Sequence, residues 1–266
     1  MSNKIVRLAL AIGLSIIFCF ESGCSSIRPA APMSPEQTAK LQERLGNIGV
    51  VSVRYTPRVE LQTPGKGRLA NAERGAADLS RMTLGAGALV ADSPSAVANK
   101  EAALLNALSK MRVQETMRDR FMENTSTVSG YHFRTLDGQG ALTEADRPDY
   151  RSLKISGIDT IQELAVREFG LSAENHLDPD LLFYMQLQAR LVDTANNHPI
   201  IIRTFSCESG RHKFIYWTDS EAQKFREEID RCYDDLAYQL TADCYLYDTV
   251  TSGFTGREKL LTGRPR

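Results

Sequence analysis

The stretch "LLFYMQLQARLVD", from Leu181 to Asp193, constrains the fold more than any other. Phe183, Met185, Leu187, Ala189 and Leu191 fall on one side of an extended chain, and Gln186, Gln188 and Arg190 on the other. Strict alternation over this length defines a β-strand with one buried and one wet face, the habit of an antiparallel sheet. Ala195-Asn196-Asn197-His198-Pro199 supplies a turn, and Ile200 to Cys207 returns as the second arm of a hairpin. Further on, Phe225, Ile229, Cys232, Leu236 and Leu240 recur every three or four residues, one unbroken apolar stripe of a helix. The stripe needs a cover, and the Phe183–Leu191 face needs the same. Thr218 and Glu221 have capping-box spacing and are expected to start this helix.

The remaining elements fit around that unit. Ser34-Pro35-Glu36-Gln37 reads as a capped helix start and Gly46 as its stop. "IGVVSVRY", Ile48 to Tyr55, reads as a β-branched strand ended by Pro57, with Val59-Glu60-Leu61 as its continuation after a break. Leu104, Leu108, Met111, Met117 and Phe121 predict one long helix over 99–123. Tyr131 to Leu136 and Thr160 to Phe169 are expected as strands. The fold expected is therefore α/β of the α+β type: a largely antiparallel sheet with a hairpin over 181–207, covered by two long helices over 99–123 and 219–243.

The amino terminus carries an address. Lys4 and Arg7 precede an apolar run from Leu8 to Phe20. At roughly 13 residues it falls short of the ~20 that span a bilayer as a helix. A basic start, a short apolar stretch and small residues before a cut site describe a secretory signal peptide. Ser22-Gly23-Cys24 resembles the lipobox of bacterial lipoproteins, with Glu21 where that pattern has an apolar residue. The resemblance implies cleavage before Cys24 and acylation of that cysteine, palmitate included. Ser25 follows in place of Asp, which by the family's sorting rule implies the outer membrane and its periplasmic face. The physics agrees. One acyl chain anchors only marginally, whereas two or three on one residue hold a protein at a membrane.

This divides the chain into a signal peptide (1–23), a lipidated tether (24–33), one periplasmic domain (34–250) with a Gly/Ala-rich insertion near 65–98, and a polar tail (251–266). The chain of 266 residues has a formal charge of −1. Lys4, Arg7 and Glu21 leave with the signal, so the mature part stands near −2. No basic excess calls for nucleic acid.

A search for chemistry finds none. His132, His176, His198 and His212 show no metal-ligand spacing, and neither HExxH nor CxxC occurs. Gly65-Lys66-Gly67 lacks the spacing of a phosphate loop. Asp178-Pro179-Asp180 reads first as a turn, and nothing requires Glu163 and Glu168 to face a cleft. No cofactor and no metal are expected. Phe214, Tyr216 and Trp217 form an aromatic cluster before the last helix. It serves either as a partner patch or as a plug between hairpin and helix, and aromatic burial favours the plug. In an oxidising compartment Cys207 has a choice of Cys232, Cys244 or no partner. Cys232 and Cys244 are twelve residues apart, about 18 Å along a helix, too far to pair with each other.

The lipobox, the Gly/Ala-rich stretch and the closing order of hairpin, "YW", helix and "CYLYD" resemble a group of poorly characterised proteobacterial lipoproteins. The plan is similar to that of transport-auxiliary lipoproteins, activators of peptidoglycan synthases and the curli-secretion lipoprotein. The resemblance implies binding of another envelope protein, as adapter or accessory subunit, with no catalytic residue. The alternative is a carrier of a small ligand or lipid serving an envelope transporter. That would need an apolar cavity of at least ~300 Å³ between sheet and helices. An unrecognised hydrolase is the third class.

Overall fold

Alternation in the sequence becomes a six-stranded sheet in the computed structural model, which describes residues 32–61, 94–173 and 180–246. The expected signal peptide, Cys24, most of the tether, most of the Gly/Ala-rich insertion and the tail lie outside the described residues. Helix α1 is Pro35–Leu45, with the Ser34/Gln37 capping box in place and Gly46 (φ 56°) ending it. Strands β1 (Asn47–Ser52) and β2 (Arg58–Leu61) follow. Next come α2 (Pro94–Ser109), α3 (Val113–Thr125) and β3 (His132–Thr135). A 3-10 turn, Arg151–Ser156, leads to β4 (Thr160–Ala173), β5 (Leu181–Asp193), β6 (His198–His212) and α4 (Phe214–Thr241).

The sheet runs β3-β1-β4-β5-β6, with β2 also on β4. It is antiparallel across β4, β5 and β6 and parallel where β1 meets β3 and β4. Long strands belong to the antiparallel half; short ones form the parallel half. β1 and β2 lie end to end along β4, and Pro57 stands in the gap between them. A proline cannot donate to the ladder. That gap leaves Val166 of β4, which pairs with Leu187 of β5 on its other side, without a partner on the β1–β2 side, and Gln114 of α3 takes that place. Its Oε1 accepts from Val166 N–H (2.9 Å), and its Nε2 donates to the carbonyls of Val166 (2.9 Å) and Tyr55 (3.3 Å). A buried amide here replaces an interrupted strand, so the Val166 N–H and carbonyl are both paired.

The apolar stripe of α4 covers the hairpin face as the periodicity predicts. Phe225, Ile229, Cys232, Leu236 and Leu240 are buried in one core with Phe183, Met185, Leu187, Ala189 and Leu191. Phe183 and Phe225 meet edge to face at 5.5 Å.

Three expectations need correction. The single helix over 99–123 is two helices, broken at Lys110–Arg112, and the first begins at Pro94. The break serves packing: α2 lies against α4, whereas α3 turns Met117 and Phe121 onto the sheet. Among the described residues, α3 and α4 therefore make the main cover of the sheet, and α2 packs against α4. The start of α4 also differs. Thr218 caps nothing; its hydroxyl is turned back onto the carbonyls of Phe214 and Ile215. The chain then kinks through positive φ at Ser220, Glu221 and Ala222 before the long helix resumes.

Among the described residues, no α-helix lies on the opposite face of the sheet. The loop between β3 and β4 crosses it and packs Tyr150 and Ile158 against Val51, Ile161 and Val192. Gly140 lets this loop touch β1. A Cβ there would stand 1.9 Å from the Ser52 carbonyl oxygen, so no other residue fits.

Candidate functional site

Cys207 of β6 and Cys232 of α4 form a disulfide, with Cα atoms 5.6 Å apart. Of the partners open to Cys207, the structure has Cys232. The bond ties the last strand to the helix that covers it. Arg231 lies across the bridge. Its Nη2 reaches Cys207 Sγ (3.3 Å) and the Glu208 carbonyl (3.0 Å), and its guanidinium pairs with Glu228 and Asp235. Cys244 is free and buried, and burial pushes its thiol up to about 12. A thiol held so high is a packing group, not a nucleophile.

The aromatic cluster is mostly a plug. Trp217 is fully buried and donates from Nε1 to the Leu181 carbonyl (3.3 Å). Phe214 is buried beside it. Tyr216 alone reaches the surface, stacked on the His212 ring at 3.9 Å. A three-residue aromatic partner patch is thus not presented.

Two concave regions stand out. The larger, about 980 Å³, is an open groove between α2 and α4. Asn99, Asn106 and Lys110 line one bank, and Arg226, Asp230 and Tyr233 the other. Small side chains at Ala102 and Ala103 keep it open. The second, about 300 Å³, lies on the loop-covered face of the sheet between Arg147, Pro148, Tyr150, Gln188, Arg190 and Ile202.

At the floor of the second cavity sits a buried ionic cluster. Glu163 of β4 and Arg190 of β5 are opposite each other in the register. Arg190 Nη1 donates to Glu163 Oε1 (2.8 Å), with side chains only 15% and 5% exposed. The other oxygen, Oε2, accepts from the Tyr150 hydroxyl at 2.6 Å. Burial, with the Glu163 charge beside it, drives the Tyr150 phenol far above its ordinary value, so it stays a donor. Asn197, at φ 58° in the β5–β6 turn, accepts from Tyr150 N–H and donates to the Pro148 carbonyl. These bonds hold the wall of the cavity to the turn. A buried ion pair adds little net stability against an apolar equivalent.

Sequence reading named Glu163 without a role and assigned Arg190 only to the wet face. Asn197 reads only as part of the hairpin turn, and Tyr150 and Gln114 carry no signal. The Glu163–Arg190 pair was nonetheless accessible: aligning the two strands antiparallel brings opposite charges face to face. Among the described residues, no group of three or more His, Cys, Asp or Glu is placed to hold a metal. No helix among them is long and apolar enough to cross a membrane.

No model of a known protein family and no curated protein matches the chain. Solved structures are similar in shape. A hypothetical protein of Chlamydia trachomatis is 7% identical, with 75% of this chain and 97% of that one covered, at a TM-score of 0.36. A lipoprotein of Neisseria meningitidis is 14% identical, with 73% and 98% covered, at 0.30. PelC of Paraburkholderia phytofirmans, solved as a dodecamer, is 10% identical, with 83% and 96% covered, at 0.28. Bacterial lipoproteins are thus among the chains of similar shape. Likeness this remote carries no argument about function, which rests on the chain's own residues.

Proposed function

We propose that the chain is a lipid-anchored lipoprotein of the bacterial envelope. Acyl chains on Cys24 hold it at the outer membrane, and the domain described above works on the periplasmic side. Its role is that of a non-catalytic adapter or accessory subunit for another envelope protein. The observation that carries the reading is the Cys207–Cys232 disulfide. Structural disulfides persist in oxidising compartments and are rare in the cytosol. A disulfide within the domain and a signal-like start with Ser22-Gly23-Cys24 support the same destination independently. The carrier alternative finds less support. Phe183, Trp217, Phe225 and Leu236, all fully buried, fill the space between sheet and helices where its cavity was required.

Two measurements test the reading. Metabolic labelling with a fatty-acid analogue is expected to mark the wild type and not Cys24→Ala; equal labelling of the two removes the anchor. A photo-crosslinker at Asn106, in the groove, is expected to capture a specific envelope protein in intact cells, with Tyr238 on the exposed side of α4 as the control position. Identical products from both positions remove the adapter role.

A further inference from the structure

The 300 Å³ cavity over Glu163 and Arg190 has the chemistry of an anion site. Arg190 uses one nitrogen, Nη1, on Glu163, and that is the one side-chain hydrogen bond it makes among the described residues. A guanidinium has five donors in a planar fork. Arg190 is among the residues that line the cavity, and its Nη1 is anchored by Glu163. Glu163 stays charged but is engaged on both oxygens, Oε1 by Arg190 and Oε2 by the Tyr150 hydroxyl, and it is not among the residues that line the space. Gln188, one alternation along β5, adds an amide that has no side-chain partner among the described residues. Arg147 leans in from the loop, with Nη1 held by the carbonyls of Glu144 (3.0 Å) and Asp146 (2.8 Å). Two arginines and no acid line the space, with Glu163 paired to Arg190 and Asp146 beside Arg147. Pro148, Val192, Pro199 and Ile202 make the remaining wall apolar.

We propose that this cavity binds a small monoanion: a carboxylate on a short apolar body, such as the C-terminal residue of a peptide. A guanidinium edge matches a carboxylate through two parallel hydrogen bonds. With a carboxylate beside each arginine, the surroundings suit a monoanion better than a doubly charged phosphate. The apolar wall accepts a side chain of a few carbons, and the volume stands at the small end of ligand pockets. The site is independent of the lipid anchor, so its failure would leave the proposed function intact.

The test uses the purified full chain in detergent and three probes: N-acetylleucine, its uncharged amide N-acetylleucinamide, and inorganic phosphate. Saturation-transfer NMR is expected to show N-acetylleucine bound, with the amide weaker by at least about tenfold, the discrimination a lost charge-assisted pair produces. Arg190→Gln alone leaves Glu163 buried without a counter-ion and is liable to unfold. The double variant Glu163→Gln with Arg190→Gln removes both charges together and is expected to keep the circular-dichroism spectrum while losing N-acetylleucine binding. Gln188→Leu is expected to weaken binding without affecting the ion pair. Equal binding of acid and amide, phosphate binding as tightly as the acid, or undiminished binding by the double variant would each overturn the proposal.

Discussion

The two faces of one sheet are built by different rules. On one face, α3 and α4 seal a dry core of Leu, Phe, Met and Trp side chains, with the Cys207–Cys232 bridge fastening the cover. On the other, a loop lies over β1 and β4, and beneath it Glu163, Arg190 and Tyr150 form a buried polar cluster. The first face uses residues that need only fill space. The second uses residues whose partners must all be present, because an unpaired buried charge costs far more than a missing methyl group. The helix side is held by apolar packing and a disulfide, the loop side by a paired polar cluster.

The largest test of that contrast removes half of the ion pair. Arg190→Gln is expected to cost about 3–5 kcal/mol, because it strands the Glu163 charge. Adding Glu163→Gln to it is expected to recover most of the loss, since a buried pair contributes little net stability. Urea midpoints of the two variants measure this, and equal midpoints would mean that the cluster is solvated. On the helix side, Leu236→Ala is expected to cost about 2–5 kcal/mol, the range for a leucine truncated in a packed core. There a second substitution cannot restore the loss unless it refills the space. Replacing both bridge cysteines with serine is expected to cost about 2–4 kcal/mol, as for a loop of 25 residues. The smallest effect lies far from both faces. Glu36 and Lys40 on α1 pair at 2.7 Å but are almost fully exposed, and Glu36→Ala is expected to change stability by no more than about 0.5 kcal/mol.

The same contrast separates what could be read from the sequence. The helix face was legible because its signals are local and repeat. Alternation at 183–191 and the three–four stepping at 225–240 each fix a buried face, and two such faces in one chain must meet. Ser34, Gln37 and Gly46 mark the ends of α1 for equally local reasons. The loop face was not legible. Tyr150 meets Glu163 only because the loop over 137–159 folds back on the strand it leads into, and Gly140 permits that contact. Gln114 looks like a surface residue until the gap at Pro57 leaves Val166 needing a partner. The break at 110–112 escaped for a similar reason. The apolar stripe resumes beyond it at near-helical spacing after an interruption at Glu115, and only the separate packing of α2 and α3 shows that it serves two surfaces. Of the expected site residues, Cys207 and Cys232 are brought together, Phe214 and Trp217 are withdrawn into the core, and Cys24 lies outside the described residues.

The central claim is that this chain is exported, cleaved and lipid-modified at Cys24. Its five cysteines offer one measurement that bears on all three events: counting free thiols on the denatured, unreduced protein purified from its native membrane. Denaturation is required because the Cys244 thiol, raised to about 12 by burial, is not expected to alkylate at pH 8 in the folded protein. The account predicts a count of one. Cys19 has left with the signal, Cys24 carries lipid, Cys207 and Cys232 are bridged, and Cys244 remains. A count of three would contradict it, whether Cys19 and Cys24 have stayed unmodified on the chain or Cys207 and Cys232 have stayed reduced.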